Sequence, residues 1–326
     1  MMLCAYLAGH DPEAQSTFDK LFRFYQSFPS VITAPLMGWQ QVMFGDEIIA
    51  NPKGGNDSAT DGDLDIAYAL LLADKQWGSN SGALGIDYLT HAREIMSGIL
   101  GGDVNLEALS LKLGDWVEND DEQYGKATRP SDFMLNHLRN FRAASAAPAW
   151  DGILDKTYAI INELYEDFAP QTGLLPDFSE FIDEKYVPAA PGFLERDDDS
   201  FYRWNACRTP WRIATDYILS GDTRALNQLT TLNNWIRNKT NNKPSDIKSG
   251  YKLDGTPLVN YGNLAFSTPF AVSAMIDSVN QNWLNALWTF TSAKPTDTVN
   301  YFDNTLRLLC LIIVSGNWWT PINLPS

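Results

Sequence analysis

The feature that most constrains this chain is a helix-period spacing of apolar residues, repeated in pairs that only two or three residues separate. Asp61 through Lys75 carries Leu64, Ala67, Tyr68, Leu71 and Leu72 on one face, and Phe18, Leu21, Phe22 and Tyr25 repeat in the same way. Residues three, four and seven apart share a helical face, so each run predicts a helix, and no sustained strand alternation competes. Asp11-Pro12-Glu13 reads as a helix start, with an N-cap, a proline at the first helical position and an early acid. Further helices are predicted near 84–99, 131–144, 148–168, 205–219, 222–238, 266–279, 281–292 and 299–314. Joins at Gly9-His10-Asp11, Ser220-Gly221-Asp222 and Val279-Asn280 allow a C-cap followed at once by a new N-cap, which makes antiparallel helical hairpins.

Between the pairs, the connections at 29–60, 102–129, 169–203 and 239–265 are long, aromatic and read as structureless. Stretches of that length in a compact domain build a functional face. Short joins at one end and long ones at the other predict an all-α fold, a toroid of helical hairpins, as a single domain over 1–326. The periodicity gives roughly eleven helices, an odd number for a ring of hairpins. Met1-Met2-Leu3-Cys4-Ala5-Tyr6-Leu7 has helical character but neither a cap nor a basic leader, so the first helix is expected to be truncated.

A net charge of −16 argues against nucleic acid as a partner, because phosphate contacts need clustered Lys and Arg. The longest apolar run, Leu308 to Val314, is too short to cross a membrane. Cys4, Cys207 and Cys310 lie far apart and are expected as buried thiols. His10, His91 and His137 show no metal-ligand spacing, so neither a metal nor a cofactor is expected. Eleven tryptophans exceed what a core of this size needs, and several adjoin Gly or polar residues, which leans toward stacking on sugar rings.

The most informative stretch runs from Ala59 to Trp77. Asp61, Asp63 and Asp65 stand at i, i+2 and i+4 at the mouth of an apolar helix, where first-turn acids also serve as ordinary capping groups. A calcium loop is not matched, since Ala59 takes the third position and no closing Glu follows. A terpenoid-cyclase-like helical toroid would need DxDD or DDxxD, and Asp197-Asp198-Asp199 is followed by Ser200 and Phe201.

Ala59-Thr60-Asp61-Gly62-Asp63, followed by Ile66-Ala67 and closed by Ala73 and Trp77, resembles the signature of glycoside hydrolase family 8. The resemblance continues through Leu111-Lys112-Leu113-Gly114-Asp115-Trp116, Gly173-Leu174-Leu175-Pro176-Asp177, Asn205-Ala206-Cys207-Arg208 with Trp211-Arg212, and Tyr301 with Asn304 to Leu309. It implies an (α/α)6 barrel and an inverting endo-hydrolase of a β-1,4-linked glycan, a chitosanase, licheninase or endoglucanase. It also implies that Asp61 is the central carboxylate, supporting charge in an oxocarbenium-like transition state, with Arg208 beside it. Trp39, Trp116 and Trp204 are the stacking candidates, with Tyr301, Asn205 and Arg208 as further substrate contacts.

Two departures bear on the chemistry. The resemblance implies a general acid Glu in an E-G-x-G-Y-G segment before the first barrel helix, and that segment does not occur in the 326 residues. Many members carry Asp where this chain has Asn205, and an amide cannot take a proton from water. The chitosanase and lichenase subgroup carries Asn there and supplies the base as a Glu from an upstream loop, which Pro191-Gly192-Phe193-Leu194-Glu195 resembles. Arg129-Pro130-Ser131-Asp132-Phe133 resembles the same subgroup. Glu195 is therefore the implied base, against the bland reading of a solvated carboxylate among Asp197, Asp198 and Asp199. The acidic surface leans slightly toward chitosan over glucan. A catalytically incomplete glycan-binding protein is the alternative. The expected context is a secreted monomer whose partner is a polysaccharide.

Overall fold

The computed structural model describes residues 1–296 and 298–322. Among these it has eleven α-helices and three two-stranded antiparallel hairpins, arranged as two compact units of discontinuous chain. The first comprises Met1–Lys126, His137–Leu154 and Trp319 onward; the second comprises Ala127–Asn136 and Asp155–Trp318.

In the first unit, α1 (Met2–Tyr6), α2 (Ala14–Gln26), α3 (Thr60–Trp77) and α4 (Tyr88–Gly102) carry the core. Every residue of α3 from Ala67 to Ala73 is buried, and the helix packs against α1 and α4. Such all-round burial marks a core helix, whereas α2 buries a single face of Phe18, Phe22 and Tyr25. Leu21, expected on that face, is exposed instead. The segment between α2 and α3 is not structureless, because β1 (Gln41–Phe44) and β2 (Glu47–Ala50) pair there. After α4, β3 (Val104–Asn105) pairs with β4 (Ser110–Leu111). Helices α5 (Leu135–Ser145) and α6 (Ala149–Phe168) follow.

The second unit contains β5 (Ser179–Ile182), β6 (Lys185–Pro188), α7 (Thr209–Ser220), α8 (Leu226–Lys239), α9 (Leu264–Ala274), α10 (Gln281–Ser292) and α11 (Tyr301–Val314). Here α9 is the core helix, buried from Ala265 to Ala274 and packed on α7, α10 and α11. A fully buried Phe such as Phe266 or Phe270 contributes about 1.5–3 kcal/mol over its exposed state.

Several boundaries move relative to the sequence reading. Helix α2 begins at Ala14, and the Asp11 carboxylate accepts the Glu13 N–H at 2.9 Å, closing a turn before the helix. Helix α4 starts at Tyr88, with the Asp87 side chain accepting from Thr90 N–H, and the residues from 84 belong to the preceding turn. The helices expected from 131 and 205 open as short 3-10 turns, Pro130–Asp132 and Ala206–Arg208, before α5 and α7. Gly221 closes α7 at φ +72°, as the sequence predicts, but α8 starts only at Leu226. Cys207 and Cys310 are buried free thiols, while Cys4 is only half-buried.

Candidate active site

Two clusters carry the chemistry-bearing residues, one in each unit. In the first, the start of α3 is bolted to two loops. Thr60 Oγ1 donates to the Lys112 carbonyl at 2.8 Å, and Ser58 N–H donates to Asp115 Oδ1 at 2.7 Å. Asp115 N–H returns a bond to Ser58 Oγ at 3.0 Å, and Asp115 Oδ2 takes Thr33 N–H at 3.1 Å. The buried Asp115 thus ties three chain segments together and fixes the Trp116 that follows it. Gly114 is required here: a Cβ would lie 2.3 Å from the Ser58 carbonyl and 2.8 Å from the Trp116 ring.

The three acids of α3 separate by environment. Asp61 is half-buried, and its Oδ1 accepts the Gly62 N–H at 2.9 Å. Asp63 turns inward and accepts Met37 N–H at 3.3 Å; burial, then the nearby Asp103 charge, pushes its carboxyl well above the usual range. Asp65 lies 3.1 Å from His137 Nε2, and that ring stacks on Tyr68 at 3.8 Å. The capping reading of Asp63 and Asp65 therefore gives way to tertiary partners, and the N-cap position, Ala59, offers no side-chain cap. Trp39 is 55% exposed, with its indole N–H held by Asp57 at 3.1 Å, so an open ring face stands on a fixed mount. Trp116 is half-buried, edge-on to Tyr124 at 5.5 Å.

The second cluster centres on Glu195. Its side chain is 40% exposed, with Oε1 3.4 Å from Arg129 Nη2 and Oε2 accepting from Asn205 Nδ2 at 3.1 Å. The two contacts hold the carboxylate in place from both oxygens. Asn205 is in turn oriented by Arg208, whose Nη2 donates to Asn205 Oδ1 at 3.1 Å and to Ser131 Oγ at 2.9 Å. The Arg129 guanidinium lies over Phe178 at 5.0 Å, and Arg212 donates to the Ser131 carbonyl.

Beneath these groups sit two carboxylates. Asp199 is 1% exposed and accepts the N–H groups of Leu194, Glu195 and Arg196 at 2.8, 2.9 and 3.0 Å. Asp177 Oδ1 accepts the N–H groups of Arg203, Asn205 and Ala206 at 2.9, 3.2 and 2.7 Å. Burial pushes the Asp177 carboxyl up to about 7, against the pull of those three donors. Asp198 pairs with Arg203 at 2.5 Å.

Glu195, Asn205 and Arg208 are thus brought together as one hydrogen-bonded set. Trp204, half-buried, meets Phe266 edge-on at 4.9 Å, so one of its edges serves packing. Tyr301 is 82% exposed at the first position of α11. The anchoring roles of Asp115, Asp177 and Asp199 were not read from the sequence, nor was the partnership of Arg129 with Glu195. The stretches 111–116, 129–133 and 173–177 mark Asp115, Arg129 and Asp177 by resemblance without giving their partners, and nothing in the sequence sets Asp199 apart. Among the described residues, no three His, Cys, Asp or Glu side chains are placed to hold a metal ion, and no helix is long and apolar enough to cross a membrane.

Comparison with known proteins fits this arrangement. The chain matches the family described as glycosyl hydrolases family 8 over residues 2–316. It is 48% identical to a β-glucanase of Niallia circulans over 98% of this chain and 75% of that protein. It is 38% identical to an endoglucanase of Bacillus sp. (strain KSM-330), over 99% of this chain and 66% of that protein. It is also 30% identical to endoglucanase A of Acetivibrio thermocellus, of which it spans 60%. The chain therefore spans between three-fifths and three-quarters of the length of these relatives. Among solved structures, the apo β-1,3-1,4-glucanase from Paenibacillus sp. X4 superposes with a TM-score of 0.92 at 48% identity, covering 98% of this chain and 81% of that one. A Teredinibacter turnerae xylanase, 20% identical with a TM-score of 0.78 over 99% of this chain and 81% of that one, shares the fold alone. The expected fold, the all-α (α/α)6 barrel, is that of these neighbours. With the family match spanning nearly all its residues, this chain belongs to glycosyl hydrolases family 8, a family of glycoside hydrolases.

Proposed function

We propose that this chain is the catalytic part of an inverting endo-β-glucanase acting on mixed-linkage β-1,3-1,4-glucan. Glu195 is the general base and Asp61 the carboxylate that supports charge on the distorted sugar. The observation that carries this reading is the Glu195 carboxylate, solvent-reachable yet held between Arg129 and Asn205. Such a group takes a proton from a water molecule, whose oxygen attacks the anomeric carbon from the face opposite the leaving group. As the glycosidic bond breaks, the electron pair goes to the leaving oxygen, which takes a proton from an acid. No E-G-x-G-Y-G segment occurs in the 326 residues, and we assign that acid to none of them. Trp39, Trp116, Trp204 and Tyr301 offer ring faces or edges to the glycan, and Arg208 holds Asn205 toward the base.

The choice of glucan rests on the names of relatives 48% identical along the chain. The loop offers little to the amino groups of chitosan, because two of its carboxylates serve the protein itself: Asp199 holds backbone amides and Asp198 pairs with Arg203. A polymer of this size is met outside the cell, so we place the protein there, acting as a monomer.

The test is reducing-sugar release from mixed-linkage glucan, carboxymethylcellulose, chitosan and xylan, by this chain and by a form carrying an E-G-x-G-Y-G segment ahead of it. NMR of the first-formed anomer accompanies it. We expect glucan cleavage with inversion once the segment is present. Chitosan turnover would move the substrate, retention would remove Glu195 as base, and binding without turnover by both forms would leave a glycan-binding protein.

A further inference from the structure

The two buried carboxylates of the second cluster are not explained by the chemistry above. Neither faces solvent, and each spends its acceptor capacity on the backbone of one partner in the Glu195–Asn205 hydrogen bond. Asp199 gathers three consecutive N–H groups, with that of Glu195 in the middle. Asp177 gathers the N–H of Asn205 together with those of Arg203 and Ala206. The segment between them has no helix or strand across 189–205 to hold it, so these six bonds replace a regular ladder. Further braces follow the same segment. Arg203 pairs with Asp198 and donates to the Ser249 carbonyl, Tyr202 and Tyr251 exchange backbone bonds at 3.0 Å, and Gly192 N–H meets the Arg196 carbonyl at 2.9 Å.

We infer that Asp177 and Asp199 are a matched pair of positioning residues, each fixing the backbone of one member of the Glu195–Asn205 pair so that the base is aimed without a supporting helix. This rests on the reading of Glu195 as the base. Loops place side chains less tightly than helices or strands do, and a shift of about 1 Å at a reacting group costs on the order of a hundredfold in rate. A buried side-chain carboxyl on which three backbone N–H groups converge supplies that rigidity, because it pins those amides to one point and leaves none of them unsatisfied.

The two anchors differ in a way that makes the inference testable. All three bonds to Asp177 end on the single atom Oδ1, which an Asn side chain reproduces with its carbonyl oxygen. Asp199 uses both oxygens, Oδ2 for residues 194 and 195 and Oδ1 for 196. An Asn there would turn its amide N–H₂ against one of the backbone N–H groups.

Asp199→Asn, Asp177→Ala and Asp177→Asn would be compared with the parent protein in the active form established by the glucan assay. Folded fraction is checked by near-UV circular dichroism. Asp199→Asn is expected to lower kcat about 10–100-fold with KM within about threefold. Asp177→Ala is expected to lose about tenfold or more, and Asp177→Asn to recover most of that loss. The side-chain amide of Asn205 in ¹⁵N–¹H spectra provides a readout that needs no turnover. Its resonances should broaden or move toward free-amide positions in Asp199→Asn. An unchanged kcat and an unmoved Asn205 amide in a folded Asp199→Asn protein would overturn the inference. Glu195→Gln serves as the control on the underlying reading: if it keeps full activity, the base assignment fails whatever the anchors do.

Discussion

The start of α3 and the loop around Glu195 both carry acids, yet they hold them by different physics. At α3 the carboxylates ride on a helix whose N-terminal N–H groups favour negative charge, and the helix is buried on all sides from Ala67 to Ala73. Their spacing of two residues alone sends Asp61 toward solvent and Asp63 toward the core. Around Glu195 no regular element exists, and the carboxylate is aimed by Asn205, ten residues away, and Arg129, sixty-six residues away. A helix supplies local order that tolerates loss of a side-chain partner. A loop of this kind concentrates its order in a few long-range bonds, so single substitutions there should have sharper effects.

The largest expected effect is at the loop. Glu195→Gln should lower kcat on glucan by about 10²–10⁴-fold with little change in melting temperature, as befits the loss of the proposed general base. Asp61→Asn should follow at about 10²–10³-fold, since it removes the proposed charge stabilisation and leaves the proposed base in place. An Asp61→Asn loss equal to that of Glu195→Gln would blur the contrast in roles, and one below about tenfold would break it.

The next effect concerns stability. The Asp177 carboxyl is raised to about 7, so the folded chain keeps a proton that the unfolded chain has released. Its contribution is fully present below the ordinary carboxylate range, near pH 4, and is lost as pH rises through about 7. Asp63, raised in the same direction by burial, adds a slope of the same sign. Thermal melts of the parent protein should therefore fall between about pH 4 and 7 relative to Asp177→Asn, by on the order of a few kcal/mol. Parallel melting curves for the two proteins would show that Asp177 carries no such linkage.

Gly114→Ala probes the first region. The added Cβ meets the Ser58 carbonyl at 2.3 Å, and we expect a loss of about 1–3 kcal/mol in urea unfolding, with Trp116 displaced. Unchanged stability would mean that the loop at 111–117 yields more readily than its bonds to α3 imply. Smallest is Trp39→Ala, which should raise KM about 2–12-fold and leave kcat nearly intact, the loss of one stacking face. A fall in kcat with KM unchanged would place Trp39 in holding structure.

Legibility followed the same division. The acids of α3 were readable because a motif confined to Ala59–Trp77 fixes both the helix and the positions of its carboxylates. Asp197, Asp198 and Asp199 were unreadable as individuals. In sequence they are three equal carboxylates, whereas in the fold one is buried under backbone amides and another binds Arg203. The hairpins β1–β2 and β5–β6 escaped because strands of four residues give too few alternations to register against a helical background.

By itself the sequence determined the presence of most helices and the acids at the α3 mouth, because these depend on residues within about four positions of one another, and the family, through several such local motifs. Only the tertiary structure decided which carboxylate stays solvent-reachable and which is consumed as an anchor. That choice turns on burial and on donors arriving from distant segments: Arg129 and Asn205 at Glu195, the amides of 203–206 at Asp177, and Ser58 at Asp115. Desolvation and convergent N–H groups set the role of a carboxylate far more than its identity does, and neither is written in its immediate neighbours.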